Sequence, residues 1–200
     1  MRATVIDYKA GNLTSVVKAL RHLGAEVTVT ESPADVAAAE RIVLPGVGHF
    51  SATRRLDETG ITGAVSDAIA RGIPFLGICV GLQWLFTGST EAPDCPGLAA
   101  FPEFCDRFAP GRKIPHVGWN SLDLTTGSAL FAGIPSGAFA YFTHSYCAPV
   151  TQGTVAVTEY GEPFSAAVES ANVFGVQFHP EKSDETGLRV LRNFLEWQPC

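Results

Sequence analysis

The segment IPFLGI, residues 73–78, is apolar at nearly every position, and this limits the fold more than any other stretch. A strand without a polar face has to be covered on both sides, which points to a parallel sheet with helices packed above and below it. The residues before it alternate as such a sheet requires. ATVIDY (3–8) is short and β-branched, and LTSVVKALRHLG (13–24) sets Leu13, Val16, Val17, Leu20 and Leu23 on one helical face before Gly24 ends it. EVTVT (26–30) and RIVLP (41–45) read as further strands, with the Ala-rich PADVAAAE between them as a short helix. A helical pattern covers 61–71 and stops at Gly72. The first half is therefore expected to be an α/β, doubly wound, flavodoxin-like parallel sheet.

Beyond residue 87 the character changes. A polar loop, TGSTEAPDCPG, leads into HVGWNSLDL, GAFAYFTHSY, TVAVTEY, FSAAVES and VFGVQFH, which are strand patterns with few helices between them. ESAN (169–172) reads as a hairpin turn, so antiparallel strands are expected to flank the parallel core in one mixed sheet. ETGLRVLRNFLEW (185–197) closes the chain as an amphipathic helix. With 200 residues, 46% of them hydrophobic, and no repeat or linker, residues 1–200 are expected to form one domain.

Composition narrows the function. The apolar runs are five to eight residues long and the N-terminus enters a strand-like segment, so a soluble cytoplasmic protein is expected. Cysteines 79, 95, 105, 147 and 200 are an odd, irregular set without a CxxC pair, and no histidine cluster has zinc-ligand spacing. Reduced thiols follow. A net charge of −6 with the 14 Lys and Arg scattered argues against nucleic acid and anionic lipid as partners.

Gly77-Ile78-Cys79-Val80-Gly81 has the G-x-nucleophile-x-G form, in which a sharp strand-to-helix turn presents one side chain at the carboxyl edge of the sheet. Cys79 would face a helix N-terminus, whose charge and free N–H groups favour a thiolate, with the Val80 amide where an oxyanion would form. A small buried cysteine filling a tight corner would give the same pattern. A second segment separates the two readings. VFGVQFHPEKS (173–183) places His179 and Glu181 two apart at a strand end, where period two lets them share a face. A thiol nucleophile needs a base, and the base needs an orienting acceptor; His179 and Glu181 supply both roles.

GICVGLQ together with QFHPE resembles the class I, triad-type glutamine amidotransferases, and nearly the whole chain resembles one branch of that family through IDYKAGNLTSV, LPGVGHF, KIPHVGWN, YFTHSY and GVQFHPEKS, in that order. The branch pattern commonly has Gly where Lys9 stands and Gly after the proline where Glu103 stands, and both positions lie outside the triad. The resemblance implies that Cys79 attacks the side-chain amide of L-glutamine, that His179 protonates the departing ammonia, and that water hydrolyses the glutamyl thioester, with no metal or organic cofactor.

PGVGHF (45–50) would offer N–H groups around Gly46, Val47 and Gly48 as the second half of the oxyanion hole. Its rival reading, a phosphate-cradling GxGxxG loop, lacks the third glycine and sits after the wrong strand. Gln83, four residues after Cys79, shares the thiol's helical face and can hydrogen-bond the substrate. The resemblance adds Ser145 and Tyr146, whose backbone would hold the substrate's α-carboxylate. It also implies a heterodimer with a (β/α)8-barrel cyclase subunit, because ammonia is useful only while unprotonated and this chain has no evident acceptor site. Lys113, His116, Trp119 and Asn120 of KIPHVGWN (113–120) are the candidate docking face, unless the segment is a structural loop with one core tryptophan. The loop 45–50 is expected to be misaligned in the isolated chain. The alternatives are a stand-alone cysteine hydrolase of the same fold acting on γ-glutamyl substrates, and a non-catalytic binding subunit.

Overall fold

The computed structural model describes residues 1–10, 13–125 and 127–199; Gly11 and Asn12 of the IDYKAGN motif and Cys200 lie outside the described residues. The first half runs β1 (Arg2–Ile6), α1 (Leu13–His22), β2 (Glu26–Thr30), α2 (Pro33–Ala37), β3 (Ile42–Gly46), a 3-10 turn (Phe50–Thr53), α3 (Arg54–Glu58), α4 (Ile61–Ala70), β4 (Phe75–Cys79) and α5 (Val80–Trp84). The second half runs β5 (Asp106–Arg107), β6 (His116–Ser121), β7 (Asp123–Leu124), β8 (Phe139–His144), β9 (Tyr146–Cys147), β10 (Thr154–Glu159), β11 (Pro163–Ser170), β12 (Val173–Val176), a 3-10 turn (Pro180–Lys182) and α6 (Asp184–Glu196).

Eight strands form one sheet in the order β2-β1-β3-β4-β12-β11-β10-β7. The first five are parallel and the rest antiparallel, so the parallel part has the flavodoxin-like order with β12 as its fifth strand. Right-handed crossovers put α1 on one face, packed against α6, and α2 to α4 on the other, where α2 packs on α4. β3, β4 and β12 are buried at every position, as strands covered on both faces must be. The ESAN turn closes the β11–β12 hairpin, and Asn172 Nδ2 ties it to the end of α4 by donating to the carbonyls of Ile69 (2.9 Å) and Ile73 (2.8 Å).

Three departures from the sequence pattern matter. The short helices over 50–58 bury only Phe50, Thr53 and Leu56, too few to give a helical period. HVGWNSLDL does not join the main sheet as one strand. It divides at the buried Leu122, so that β6 pairs with β8 in a separate two-stranded sheet while β7 pairs with β10. That small sheet is fixed to the chain after β12 by two hydrogen bonds, from the His179 N–H to the Tyr141 carbonyl (2.9 Å) and from the Tyr141 N–H to Ser183 Oγ (2.9 Å). The third departure is α5, which has only five residues.

The contact between β3, β4 and α5 has no room for side chains at its glycines. A Cβ on Gly81 would sit 2.0 Å from the Leu44 carbonyl oxygen, and one on Gly77 2.3 Å from the Gly81 carbonyl oxygen. Gly63, on the exposed side of α4, has nothing within 4 Å of the same position. Gly81→Ala is therefore expected to destabilise the fold by at least about 3 kcal/mol, through displacement of backbone rather than of a mobile side chain. Gly63→Ala is expected to stabilise it by roughly 0.5–1 kcal/mol. Urea denaturation of the two variants tests the opposite signs.

Candidate active site

Cys79 is the last residue of β4, and its backbone takes φ 54°, ψ −106°, a conformation that non-glycine residues rarely adopt. Gly77 and Gly81 on either side let the chain fold back on itself there. Beside it in register lies Gly46, the last residue of β3. The sulfur stands at the carboxyl edge of the parallel sheet, where open α/β sheets bind their ligands. Cys79 is only 4% exposed, yet it lines a cavity of about 250 Å³ together with Val47, Gly48, Val80, Gln83, Ser145 and Tyr146. That volume lies below the ~300–1,000 Å³ of drug-sized sites and suits a small substrate. One turn of helix follows Cys79, so individual N–H groups, not the accumulated dipole of a long helix, face the site.

His179 and Glu181 come together, though not by strand alternation. β12 ends at Val176, and the two residues begin a 3-10 turn in which Pro180 and the Ser183 hydroxyl, donating to the His179 carbonyl at 2.7 Å, bring the side chains into contact. His179 Nδ1 lies 2.9 Å from Glu181 Oε1, and each side chain is 1% exposed. Burial pulls the imidazole pKa down, but the neighbouring Cys79 sulfur and Glu181 carboxylate outweigh it and raise the pKa to about 9. His179 Nε2 is buried and has no hydrogen-bond partner among the described residues. The sulfur's own hydrogen bonds go elsewhere: the thiol donates weakly to the Thr143 carbonyl (4.0 Å) and accepts from Gln177 Nε2 (3.5 Å).

The remaining candidates divide. Val47 and Gly48 face the cavity, whereas Gly46 is buried in β3 beneath it, where a Cβ would meet the Tyr8 hydroxyl at 2.4 Å. The Gln83 amide is already engaged, donating to the Tyr146 carbonyl (2.9 Å) and to Gln177 Oε1 (3.1 Å). The Ser145 carbonyl accepts from the Phe108 N–H, at 3.1 Å, so the carbonyls of both Ser145 and Tyr146 serve the scaffold. Glu91 is a cavity residue that the sequence pattern did not flag; its Oε2 accepts from the Phe50 N–H at 2.7 Å. It sits in a stretch whose polarity reads as an ordinary loop.

On β6, alternation sends Trp119 outward at 49% exposed, with Val117 beside it and Phe139 on β8, and Lys113 is exposed before the strand. His116 is not part of that surface. It points to the buried face, stacked on Tyr160 with ring centroids 4.0 Å apart and on Phe142 at 5.0 Å. Asn120 is half-buried, its amide donating to the Glu159 carbonyl at 3.0 Å. Lys9 has φ 65°, in the left-handed region that favours glycine, and its ammonium is paired with Asp7 and Glu31. The Glu103 carbonyl accepts from the Thr87 N–H and hydroxyl. No helix among the described residues is long and apolar enough to cross a membrane.

Residues 4–197 match the family model described as glutamine amidotransferase class-I. The chain is similar to the imidazole glycerol phosphate synthase subunit HisH of Moorella thermoacetica, with 46% identity covering 96% of this chain and 93% of the relative. It is similar to the same subunit of Methanothermobacter thermautotrophicus, with 47% identity covering 96% of each chain. Among solved structures, a glutamine amidotransferase matches with a TM-score of 0.77 at 22% identity, covering 96% of this chain and 97% of the other. PurLQS from Thermotoga maritima matches at 0.74 and 22%, covering 97% of each.

The pKa of His179 in the folded chain, about 9, lies above its ordinary 6.5. Folding therefore favours the protonated ring, and the stability this contributes is complete below about pH 6.5 and is lost as the pH rises through about 9. Glu181→Gln removes one of the two groups that raise the pKa. The variant is expected to lose less stability than the wild type between pH 6.5 and 9, as measured by urea denaturation at the two pH values.

Proposed function

We infer the reaction of this chain from its kinship: it belongs to the class-I glutamine amidotransferase family, and it is the glutamine amidotransferase subunit of an imidazole glycerol phosphate synthase, an enzyme of histidine biosynthesis. It hydrolyses L-glutamine to glutamate and ammonia. The whole chain acts as one amidotransferase domain. The observation that carries the assignment of roles is the buried contact of His179 Nδ1 with Glu181 Oε1, set beside a cysteine held at a strained strand-to-helix turn.

In this reading Cys79 is the nucleophile, and Glu181 holds the imidazole so that Nε2 faces the reacting centre. With a pKa of about 9 the imidazole holds at neutral pH the proton it takes from the Cys79 thiol, leaving a thiolate to attack, and that proton is then given to the leaving ammonia. A primary amide is a poor electrophile, so stabilising the tetrahedral oxyanion supplies much of the rate, and losing one donor costs about 10²–10³-fold. The Val80 N–H and the N–H groups of Val47 and Gly48 are the donors proposed. Glu91 carries the carboxylate suited to the substrate's α-ammonium, and the N–H side of Ser145 and Tyr146 suits its α-carboxylate. Gln83 supports this wall through Tyr146, and its side-chain oxygen is the atom that would meet substrate.

The ammonia passes to a cyclase subunit, which forms imidazole glycerol phosphate and aminoimidazole carboxamide ribotide. That partner is a (β/α)8 barrel docking on the face that carries Lys113, Val117, Trp119 and Phe139, and the active pair is a heterodimer. The loop 45–50 reaches its donor geometry only in that complex. Glutamate release from glutamine, measured with the chain alone and with the cyclase subunit and its nucleotide ligand, tests the reading. Strong stimulation by both is expected, and indifference to either would favour a stand-alone hydrolase. Cys79→Ala is expected to abolish release, and His179→Ala to lower it by about 10³-fold or more.

A further inference from the structure

Gln177 lies just beyond β12, is fully buried and does not line the cavity. Its N–H donates to the Ala166 carbonyl at 2.8 Å, which fixes its backbone. Its side-chain Nε2 lies 3.5 Å from Cys79 Sγ. We propose that Gln177 is a positioning residue for the nucleophile: its amide N–H holds the sulfur in place, and a chain of hydrogen bonds through Gln83, anchored on the Tyr146 carbonyl, fixes which end of that amide faces the sulfur.

An amide in isolation can present either its oxygen or its NH2 group, but here the choice is forced. The Tyr146 carbonyl can only accept, so the group of Gln83 that lies 2.9 Å from it is the NH2. The same NH2 lies 3.1 Å from the Gln177 side chain, which must therefore turn its oxygen toward Gln83 and its own NH2 toward Cys79. The Tyr146 carbonyl also accepts from His144 Nδ1 at 2.9 Å, which puts the proton of that ring on Nδ1 and leaves Nε2 an acceptor. His116 Nδ1, 3.2 Å from that Nε2, must then donate, and His116 Nε2 accepts from Asn120 Nδ2 at 3.4 Å. Asn120 in turn is anchored on the Glu159 carbonyl.

Burial supports the proton order. It lowers the pKa of His116 to about 4 and, with some opposition from the Tyr146 carbonyl, that of His144 to about 3, so both rings are neutral and each has one donor and one acceptor. The side chain that reaches the sulfur is thus oriented through Gln83 and Tyr146, residues of the cavity wall, while Gln177 itself stays behind that wall. A donor at this point stabilises the thiolate that precedes attack, raising the share of sulfur in its nucleophilic form, and restrains its rotation.

The proposal rests on Cys79 being the nucleophile, and its test keeps the two claims apart. Gln177→Leu and the isosteric Gln177→Glu are assayed for glutamate release in the complex with the cyclase subunit. In parallel, iodoacetamide labelling of each cysteine is followed by mass spectrometry. Gln177→Leu is expected to lower kcat by about 10–100-fold, with a smaller change in KM, because it removes the donor to the sulfur and also the acceptor for Gln83. Gln177→Glu keeps an acceptor for Gln83 but sets an oxygen against the sulfur, and its kcat is expected to fall at least as far. In both variants Cys79 is expected to label more slowly, while Cys95, Cys105 and Cys147 stay protected. A kcat within threefold of wild type in both variants, or a rise in KM alone, would overturn the proposal. If the Leu variant labels at every cysteine it has unfolded, and the Glu variant decides. Undiminished release from Cys79→Ala would instead overturn the nucleophile.

Discussion

The close approach of three backbone segments at Gly46, Gly77 and Gly81 is the constraint on which the site depends. α5 lies directly on β3, with the Leu44 carbonyl where a side chain at position 81 would have to be, and the turn between β4 and α5 closes over Gly77. Only with those side chains missing can the helix start so close to the sheet. The same closeness forces Cys79 into its unusual dihedral angles and brings the Val80 amide and the β3 loop to one side of the sulfur. The geometry at Cys79 therefore follows from a packing requirement of the sheet.

The second element, the pair of His179 and Glu181, is electrostatically expensive. Two ionisable groups, each almost wholly withdrawn from water, have a desolvation cost that their attraction offsets only when the geometry is close and hydrogen-bonded. The 2.9 Å contact meets that condition. Three buried polar atoms at or beneath the site nevertheless have no hydrogen-bond partner among the described residues: His179 Nε2, Glu181 Oε2 and the Tyr8 hydroxyl. Burial and the neighbouring Cys79 both push the Tyr8 phenol pKa up, so that hydroxyl stays neutral. Among the described residues Arg41 Nε, Thr62 Oγ1 and Glu103 Oε2 are also buried without partners, but they are scattered, whereas the three at the site gather around Cys79.

Much of this was legible in the chain itself. β4 and Cys79 announce themselves because a fully apolar run ending between two glycines has few structural uses, and His179 and Glu181 are neighbours in sequence. The parallel half of the sheet follows from strand and helix periods, which are local. What escaped is non-local. Leu122 divides what reads as one strand because β6 and β7 serve different sheets, and no local pattern records that. His116 in a glycine- and proline-rich stretch looks like surface, and only its partners on β8 and Tyr160 bury it. Glu91 reaches the cavity from a loop whose composition resembles any other. Gln177 is two residues from His179, yet its part depends on Gln83, 94 positions away.

The row of side chains from Asn120 to His144 has a further consequence. Both of its ends rest on main-chain carbonyls, groups that have no hydrogen to give. Reversing the row would set an imidazole lone pair against the Tyr146 oxygen, so it has a fixed polarity. It cannot relay charge in the manner of a proton wire. The row ties the strand bearing Trp119 to the same Tyr146 carbonyl on which the Gln83 amide rests, so the outer sheet and the cavity wall share one anchor.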